Sequence, residues 1–226
     1  MPSYKYKRIT LFAGHYGSGK TNIAVNFAIK MANDGLKVKI ADLDIVNPYF
    51  RTKDSAKRLE QAGIELISPT FANTNVDLPA LPQEVYKLVQ QKSFNAVLDI
   101  GGDDRGAYAL GRYTPYILQE NDYEMVFVAN FYRPLTTTPQ QALEVMQEIE
   151  SACKIKFTAI INNSNLGKST TPSDVEQTVS KAQELSKLTN LPIIFTTVSN
   201  DIYGKVNIPN LLEINLQEKY FDIKEN

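Results

Sequence analysis

The residues best placed to do chemistry lie in one short run near the N-terminus. Positions 14–21 fit the pattern G-x-x-x-x-G-K-[ST] at every specified position, and that pattern is typical of loops that bind nucleotide phosphates. Its glycines let the backbone turn successive N–H groups toward phosphate oxygens. The lysine adds a positive charge, and the threonine hydroxyl can coordinate Mg²⁺. The residues of this phosphate loop are Gly14, His15, Tyr16, Gly17, Ser18, Gly19, Lys20 and Thr21.

The sequence on either side predicts the structure that such a loop requires. Ile9–Ala13 is a short apolar run typical of a buried strand, and Thr21–Met31 repeats its apolar residues with helical spacing. The loop is therefore expected to join a strand to a helix, whose N-terminal partial positive charge also favours phosphate. A glycine-rich turn that arose by chance would not be expected to lie between a buried strand and an amphipathic helix.

Acidic residues follow two further predicted strands. Asp42 and Asp44 come after the second strand, and their spacing of two places both on one side of the chain. Asp99 ends another apolar stretch and is followed by Gly101 and Gly102. We expect Asp44 to organise a metal ion or water and Asp99 to act near Mg²⁺, while Gly102 lies in a turn that senses the terminal phosphate. The alternative for Asp99 is a turn or helix-capping role, and Asp42 is either a structural group or a group close to the metal.

Two asparagines and one histidine are further candidates. Asn162 and Asn163 end an apolar strand, and a side-chain amide offers both a donor and an acceptor to the edge of adenine. Forming the loop is their alternative role. The Asn-Lys-x-Asp pattern that selects guanine does not occur at this point, so adenine is favoured. His15, the only histidine, either contacts a nucleotide on the same or a facing subunit or is simply tolerated in the loop.

Composition disfavours several classes of protein. The 226 residues have a formal net charge of −1, which gives no electrostatic case for binding nucleic acid or an anionic membrane. The one cysteine, Cys153, cannot form an intrachain disulfide or a cysteine-rich metal site. No apolar run reaches the roughly 18 residues that span a bilayer, and the N-terminus lacks the apolar stretch of a secretory signal. We therefore expect a cytoplasmic protein.

Strand patterns and amphipathic helix patterns alternate along nearly the whole chain. This alternation predicts an α/β fold, a single P-loop nucleotide-binding domain over residues 1–226 with helices on both faces of a mostly parallel sheet. The last clear strand is expected at 193–198, and residues 210–226 are expected to form a short apolar turn followed by a polar tail. The basic residues Lys5, Lys7 and Arg8 are expected to be solvated ahead of the first strand.

Taken together, the phosphate loop, residues 42–48, residues 99–102 and the asparagine pair resemble the ParA/MinD-type deviant Walker ATPases. This SIMIBI-class P-loop NTPase family is grouped with CobQ/CobB-like nucleotide-binding domains, and the likeness covers nearly the whole chain. The resemblance implies ATP and Mg²⁺ as ligands. It also implies seven or eight mainly parallel strands and a homodimer that encloses the nucleotide.

The resemblance further implies roles for individual residues. It puts Lys20 and Thr21 on the phosphates and Mg²⁺. It puts Asp44 near the attacking water and Asp99 on a water bound to Mg²⁺. One of the two asparagines would contact adenine, and the backbone of residues 197–201 would also reach the base.

The sequence departs from the family at the second position of the loop. Partition and septum-site members have a signature lysine there that reaches the partner's nucleotide, whereas this chain has His15. The departure leaves open hydrolysis and dimerisation by that route. Arg51, Arg105 or Arg133 could supply a substitute cation, with a surface salt bridge as the alternative role for each.

Three functions remain open at this level. The first is a slow, Mg²⁺-dependent ATPase that switches the binding of an unknown protein partner. The second is an ATP-dependent ligase or kinase resembling dethiobiotin synthase, for which Arg133 and residues 73–77 would line a second polar pocket. The third is a nucleotide-binding module with negligible hydrolysis. Metal-carrier, septum-site and plasmid-partition roles are disfavoured, because they require cysteines, a basic C-terminal helix and a basic surface respectively.

Overall fold

Eight parallel strands form one sheet in the computed structural model, which describes residues 4–44, 55–68, 83–102 and 104–217. The spatial order of the strands is β3-β2-β4-β1-β5-β6-β7-β8. They are β1 (Ile9–Ala13), β2 (Val38–Leu43), β3 (Glu65–Ile67), β4 (Asn95–Ile100), β5 (Tyr123–Ala129), β6 (Ala159–Asn162), β7 (Ile193–Ser199) and β8 (Leu211–Ile214). The expected parallel α/β architecture is confirmed.

Seven α-helices connect the strands within the described ranges. They are α1 (Lys20–Asn33), α2 (Ala56–Gln61), α3 (Gln83–Gln90), α4 (Asp104–Gly111), α5 (Thr114–Glu120), α6 (Pro139–Cys153) and α7 (Pro172–Thr189). Short 3₁₀ turns lie at Gly167–Ser169 and Tyr203–Lys205. None of the helices that can be described is long and apolar enough to cross a bilayer.

The helices cover both faces of the sheet. On one face, α1 packs Ile23 and Phe27 against Phe12 of β1. On the other face, α3 to α7 pack against the alternate strand side chains, such as Leu11. Because successive strand residues point to opposite faces, a strand that is buried on both sides is mostly apolar. All five residues of β1 are buried, and four of them are apolar.

Local sequence signals set several helix boundaries. Two helices, α4 and α5, lie between β4 and β5, and Pro115 is in the first turn of α5, where its missing N–H costs little. Capping boxes at Thr138 and Thr171 begin α6 and α7. Cys153 ends α6 in the core, where burial raises the pKa of its thiol.

The expectation for the C-terminal stretch was wrong in part. Leu211–Ile214 is not a turn but the strand β8, which pairs in parallel with β7. Leu212 and Ile214 are buried while Glu213 between them is exposed, so the alternation of a half-buried edge strand is present in only four residues. Pairing with β7, rather than local propensity, makes this short segment a strand.

Arg8 is also not the solvated residue that the sequence suggested. Its guanidinium forms a buried ion pair with Glu120 at the end of α5. It also donates to the carbonyl oxygens of Leu88, Val89 and Gln91, at distances of 2.8 to 3.1 Å. These are the carbonyls at the C-terminus of α3, which have no partner within the helix, so Arg8 caps α3 and ties it to α5.

Candidate functional site

The phosphate loop lies between β1 and α1, at the edge of the sheet where all the strands end. Its fit against the neighbouring strands depends on two glycines. A Cβ at Gly14 would lie 2.6 Å from the carbonyl oxygen of Val128 in β5. Gly19 has a φ of 89°, and a Cβ there would lie 2.3 Å from the side-chain nitrogen of Asn163. Only glycine allows the loop to approach β5 and β6 this closely.

Lys20 begins α1 and is almost fully buried. Its ammonium lies 3.4 Å from the carbonyl oxygen of His15. It also lies so close to the turn after β4 that a Cβ at Gly102 would be 2.7 Å from it. The lysine therefore bridges the phosphate loop and the turn predicted to sense the terminal phosphate.

The three predicted carboxylates lie close together at the ends of β2 and β4. Asp42 and Asp99 are partner residues on the neighbouring strands β2 and β4. The backbone N–H of Asp44 donates to the carboxylate of Asp42 at 3.0 Å. All three side chains are buried. Asp99 follows Val97 by two residues, and Val97 packs on the α1 face of the sheet, so the alternation of the strand directs Asp99 toward the start of α1.

These carboxylates do not make a metal site by themselves. No group of three or more His, Cys, Asp or Glu side chains in the described ranges is arranged to hold a metal ion. Mg²⁺ in phosphate sites is normally held by one or two protein oxygens together with phosphate oxygens and water. Oxygens of that type are the hydroxyl of Thr21, at the end of the loop, and the carboxylates of Asp44 and Asp99, at the ends of β2 and β4.

The two asparagines predicted to contact adenine have different surroundings. Asn162 is fully buried; its amide donates to Thr178 at 3.1 Å and accepts from the Ser164 hydroxyl at 2.7 Å. Asn163 donates to the carbonyl of Ser18 at 2.7 Å and accepts from Thr197 at 2.5 Å. Asn163 thus clamps the phosphate loop, whereas Asn162 anchors α7 to the end of β6. In this geometry both amides are engaged within the protein.

A cleft of about 670 Å³ opens beside the phosphate loop, a volume typical of sites for small ligands. One side is formed by the loop and the start of α1, and another by the segments that follow β5 and β6. The segment after β8 closes a third side. Its described lining is Tyr16, Gly17, Gly19, Lys20, Thr21, Asn22, Asn130, Arg133, Asn163, Asn165, Leu166, Gly167, Lys168, Ser169, Leu216 and Gln217.

This lining includes residues that the sequence did not single out. The segment Asn165–Ser169 and the pair Leu216 and Gln217 gave no motif, because the first is an irregular loop and the second follows a strand that was not recognised. Residues 197–201, expected to reach the base by their backbone, are not in the lining within the described part of the chain. The side chain of Thr197 instead supports Asn163.

The remaining candidates are distributed as follows. His15 is half-buried, and its ring nitrogen Nδ1 lies 2.9 Å from the carbonyl of Tyr16. Arg133 makes no salt bridge with any described residue but donates through Nε to the carbonyl of Gly17 at 3.0 Å. Arg51, the side chain of Arg105 and residues 73–77 lie outside what the structure describes.

A family model decides which fold family this is. The CobQ/CobB/MinD/ParA nucleotide-binding domain model matches residues 9–222. The chain belongs to this family. The resemblance inferred from the sequence motifs is confirmed, and this CobQ/CobB/MinD/ParA domain is a nucleotide-binding domain. A comparison with curated proteins found no match.

Solved structures share the fold of this CobQ/CobB/MinD/ParA domain at low sequence identity. The cell division protein FtsY from Thermotoga maritima superposes with a TM-score of 0.60 at 18% identity, covering 88% of this chain and 63% of that one. FtsY from Mycoplasma mycoides gives 0.54 at 20% identity, with 88% and 62% covered. The signal recognition particle 54 kDa protein from Aeropyrum pernix, solved with GDP, gives 0.52 at 15%, with 87% and 42% covered. The domain spans less than two thirds of the length of these neighbours, and at such identities the likeness establishes the fold alone.

Proposed function

We propose that this domain binds ATP with Mg²⁺, hydrolyses it slowly and uses the change of nucleotide to switch its binding to a protein partner. The observation that supports this most directly is the meeting of Lys20 with the loop carbonyl of His15 and the turn at Gly102. The lysine, the glycine loop and the start of α1 together offer a positive charge and backbone N–H groups to a phosphate chain.

Mg²⁺ fits the same place. The buried hydroxyl of Ser18, within the phosphate loop, has no hydrogen-bond partner among the residues that can be described. Buried polar groups are normally paired, so this hydroxyl is a group that a bound ligand would satisfy. Thr21, Asp44 and Asp99 are the residues that would hold the ion, directly or through water. A bound Mg²⁺ would neutralise part of the charge on the phosphates.

The composition of the cleft favours adenine over guanine. Guanine presents an N–H and an amino group side by side, and a carboxylate is the group best suited to accept from both. The described lining of the cleft contains no Asp or Glu, and its polar side chains are amides, hydroxyls and cations. Among them, Asn163 is fixed by Ser18 and Thr197. We assign the base contacts to backbone and side chains of Asn165–Ser169 together with Leu216.

The switch would act through the ends of β2 and β4. Asp44 follows β2 and lies against Gly101 in the turn after β4, and Gly102 in the same turn lies against Lys20 and the backbone of Tyr16. Loss of the terminal phosphate would remove a contact that both ends share. We infer that Asp44 orients the attacking water. We also infer that the partner, either another protein or a second copy of this chain, binds according to the position of these two segments.

The test combines binding, turnover and mass on the same samples. We expect ATP with Mg²⁺ to raise the melting temperature, GTP to do so less, and phosphate to appear slowly. Lys20→Ala should abolish the ATP-induced shift, while Lys187→Ala, an exposed lysine on α7, should keep it. An ATP-induced shift that survives Lys20→Ala would contradict the assignment of the phosphate site. Binding of ATP without release of phosphate would contradict the hydrolytic switch. This conclusion would hold whether or not light scattering shows a nucleotide-dependent change in mass.

A further inference from the structure

The segment that follows β5 presents an arginine to the phosphate loop. Arg133 donates through Nε to the carbonyl oxygen of Gly17 at 3.0 Å. Its Cδ and Nε both lie 3.7 Å from the position that a Cβ at Gly17 would occupy. The guanidinium therefore lies along the outer side of the loop, and it lines the same cleft as Lys20.

The backbone around Arg133 is held at both ends. The carbonyl oxygen of Asn130 accepts from the Arg133 N–H at 3.1 Å and from the Thr136 hydroxyl at 2.7 Å. The Thr136 N–H in turn donates to the Arg133 carbonyl. The Phe131 N–H donates to Ser164. The segment is thus a fixed turn joined to the end of β6, and the arginine has a defined starting point.

The guanidinium is not neutralised within the described structure. None of the ion pairs formed there includes Arg133, and Nε provides its one hydrogen bond within those residues. A guanidinium has five N–H donors, so four remain for a ligand. The charged side chains in the described lining of the cleft are Lys20, Arg133 and Lys168, all of them cations.

We propose that Arg133 is a second cation for the phosphate chain, contacting phosphate oxygens through its terminal nitrogens while Nε stays bound to Gly17. This inference rests on the proposed binding of ATP. An arginine fork matches two phosphate oxygens at once, and the bond to Gly17 fixes the fork before the ligand arrives. The contact comes from the same chain as the loop, so it requires no second subunit.

The test compares substitutions of Arg133 in the full chain. For each variant, the Kd is measured for ATP, for ADP and for adenosine, each in the presence of Mg²⁺. We expect Arg133→Ala to weaken ATP by about 10- to 100-fold, as for loss of a charge-assisted hydrogen bond, and to leave adenosine unchanged. Arg133→Lys should recover part of the loss, because it restores the charge but not the fork. Arg112→Ala, an exposed arginine next to α5 and outside the described lining of the cleft, is the matched control and should bind ATP as the unaltered chain does.

The possible failures are distinguishable. If the unaltered chain binds ATP through Lys20 but Arg133→Ala binds it equally well, the inference is wrong and the proposed function stands. If Arg133→Ala weakens adenosine as much as it weakens ATP, the side chain acts only through its bond to Gly17, and the phosphate contact is refuted. If the unaltered chain binds no ATP, both proposals fail. Melting temperatures without nucleotide verify that each variant is folded.

Discussion

The side-chain amide of Asn163 donates a 2.7 Å hydrogen bond to the backbone carbonyl of Ser18. This bond joins the end of β6 to the phosphate loop, which are 145 residues apart in sequence. The same amide accepts from the hydroxyl of Thr197 in β7. The conformation of the loop therefore depends on two strands on the far side of β5 as well as on its own glycines.

Removing this amide should loosen the loop. We expect Asn163→Ala to lower the free energy of unfolding by about 1 to 3 kcal/mol, because it leaves the buried Ser18 carbonyl without its partner, and to weaken nucleotide binding as well. Urea unfolding and ATP titration provide the two measurements. Asn207→Ala, at an exposed asparagine, is the control. An unchanged affinity for ATP in a destabilised Asn163→Ala variant would show that the amide does not position the loop.

A methyl group on Gly102 should affect the ligand site from the opposite side. The added Cβ would lie 2.7 Å from the ammonium of Lys20 and 2.9 Å from the backbone nitrogen of Tyr16. The lysine can swing away, but the backbone of the loop cannot, so we expect Gly102→Ala to reduce affinity for ATP by at least about tenfold. Gly204→Ala meets no atom within 4 Å and should bind ATP normally. Equal affinities for the two variants would refute a tight contact between the turn and the loop.

Arg8 should affect the stability of the fold but not the binding of nucleotide. Arg8→Met leaves the carboxylate of Glu120 buried and unpaired and uncaps α3, so we expect the free energy of unfolding to fall by about 3 to 5 kcal/mol. The exposed pair of Lys7 and Asp122, 3.6 Å apart, provides the control, and Lys7→Ala should change stability by less than about 0.5 kcal/mol. Similar midpoints in urea for the two variants would argue against a structural role for Arg8.

Glu124 should make stability depend on pH. Burial raises the pKa of its carboxyl, against the opposing effects of the hydrogen bond from the Tyr4 hydroxyl and the charge of Lys7. A carboxyl whose pKa is raised on folding stabilises the protein below its unfolded pKa, and this contribution is lost as the pH rises through the folded pKa. Glu124→Gln can still accept from Tyr4 without a buried charge.

We therefore expect the stability of Glu124→Gln, relative to the unaltered chain, to increase as the pH rises from the ordinary pKa of a glutamic acid through the raised pKa of the folded state, and then to level off. Chemical denaturation at several pH values measures this difference. The exposed Glu144→Gln should give a profile parallel to that of the unaltered chain. Parallel profiles for Glu124→Gln as well would mean that Glu124 is not protonated more readily in the folded state.

Much of the fold was predictable because its signals are local. β1 is apolar at four of its five positions, Thr10 being the exception, and all five are buried, so its hydrophobic run predicted a buried strand. The turn residues of the phosphate loop and Pro115 at the start of α5 likewise act through backbone geometry that the residue type imposes. β8 was missed because a four-residue edge strand has little pattern of its own and exists through its pairing with β7.

The sequence by itself determined that a phosphate loop joins a strand to a helix and that carboxylates follow neighbouring strands, since residue type and spacing fix backbone geometry over a few residues. Only the tertiary structure decided what those residues touch. In the folded chain, the amide of Asn163 donates to Ser18, Arg8 is buried against α3, and Arg133 donates to Gly17. Contacts between residues more than 80 positions apart depend on strand order and on the depth to which each side chain is buried. Neither of these is encoded in any short stretch of the chain.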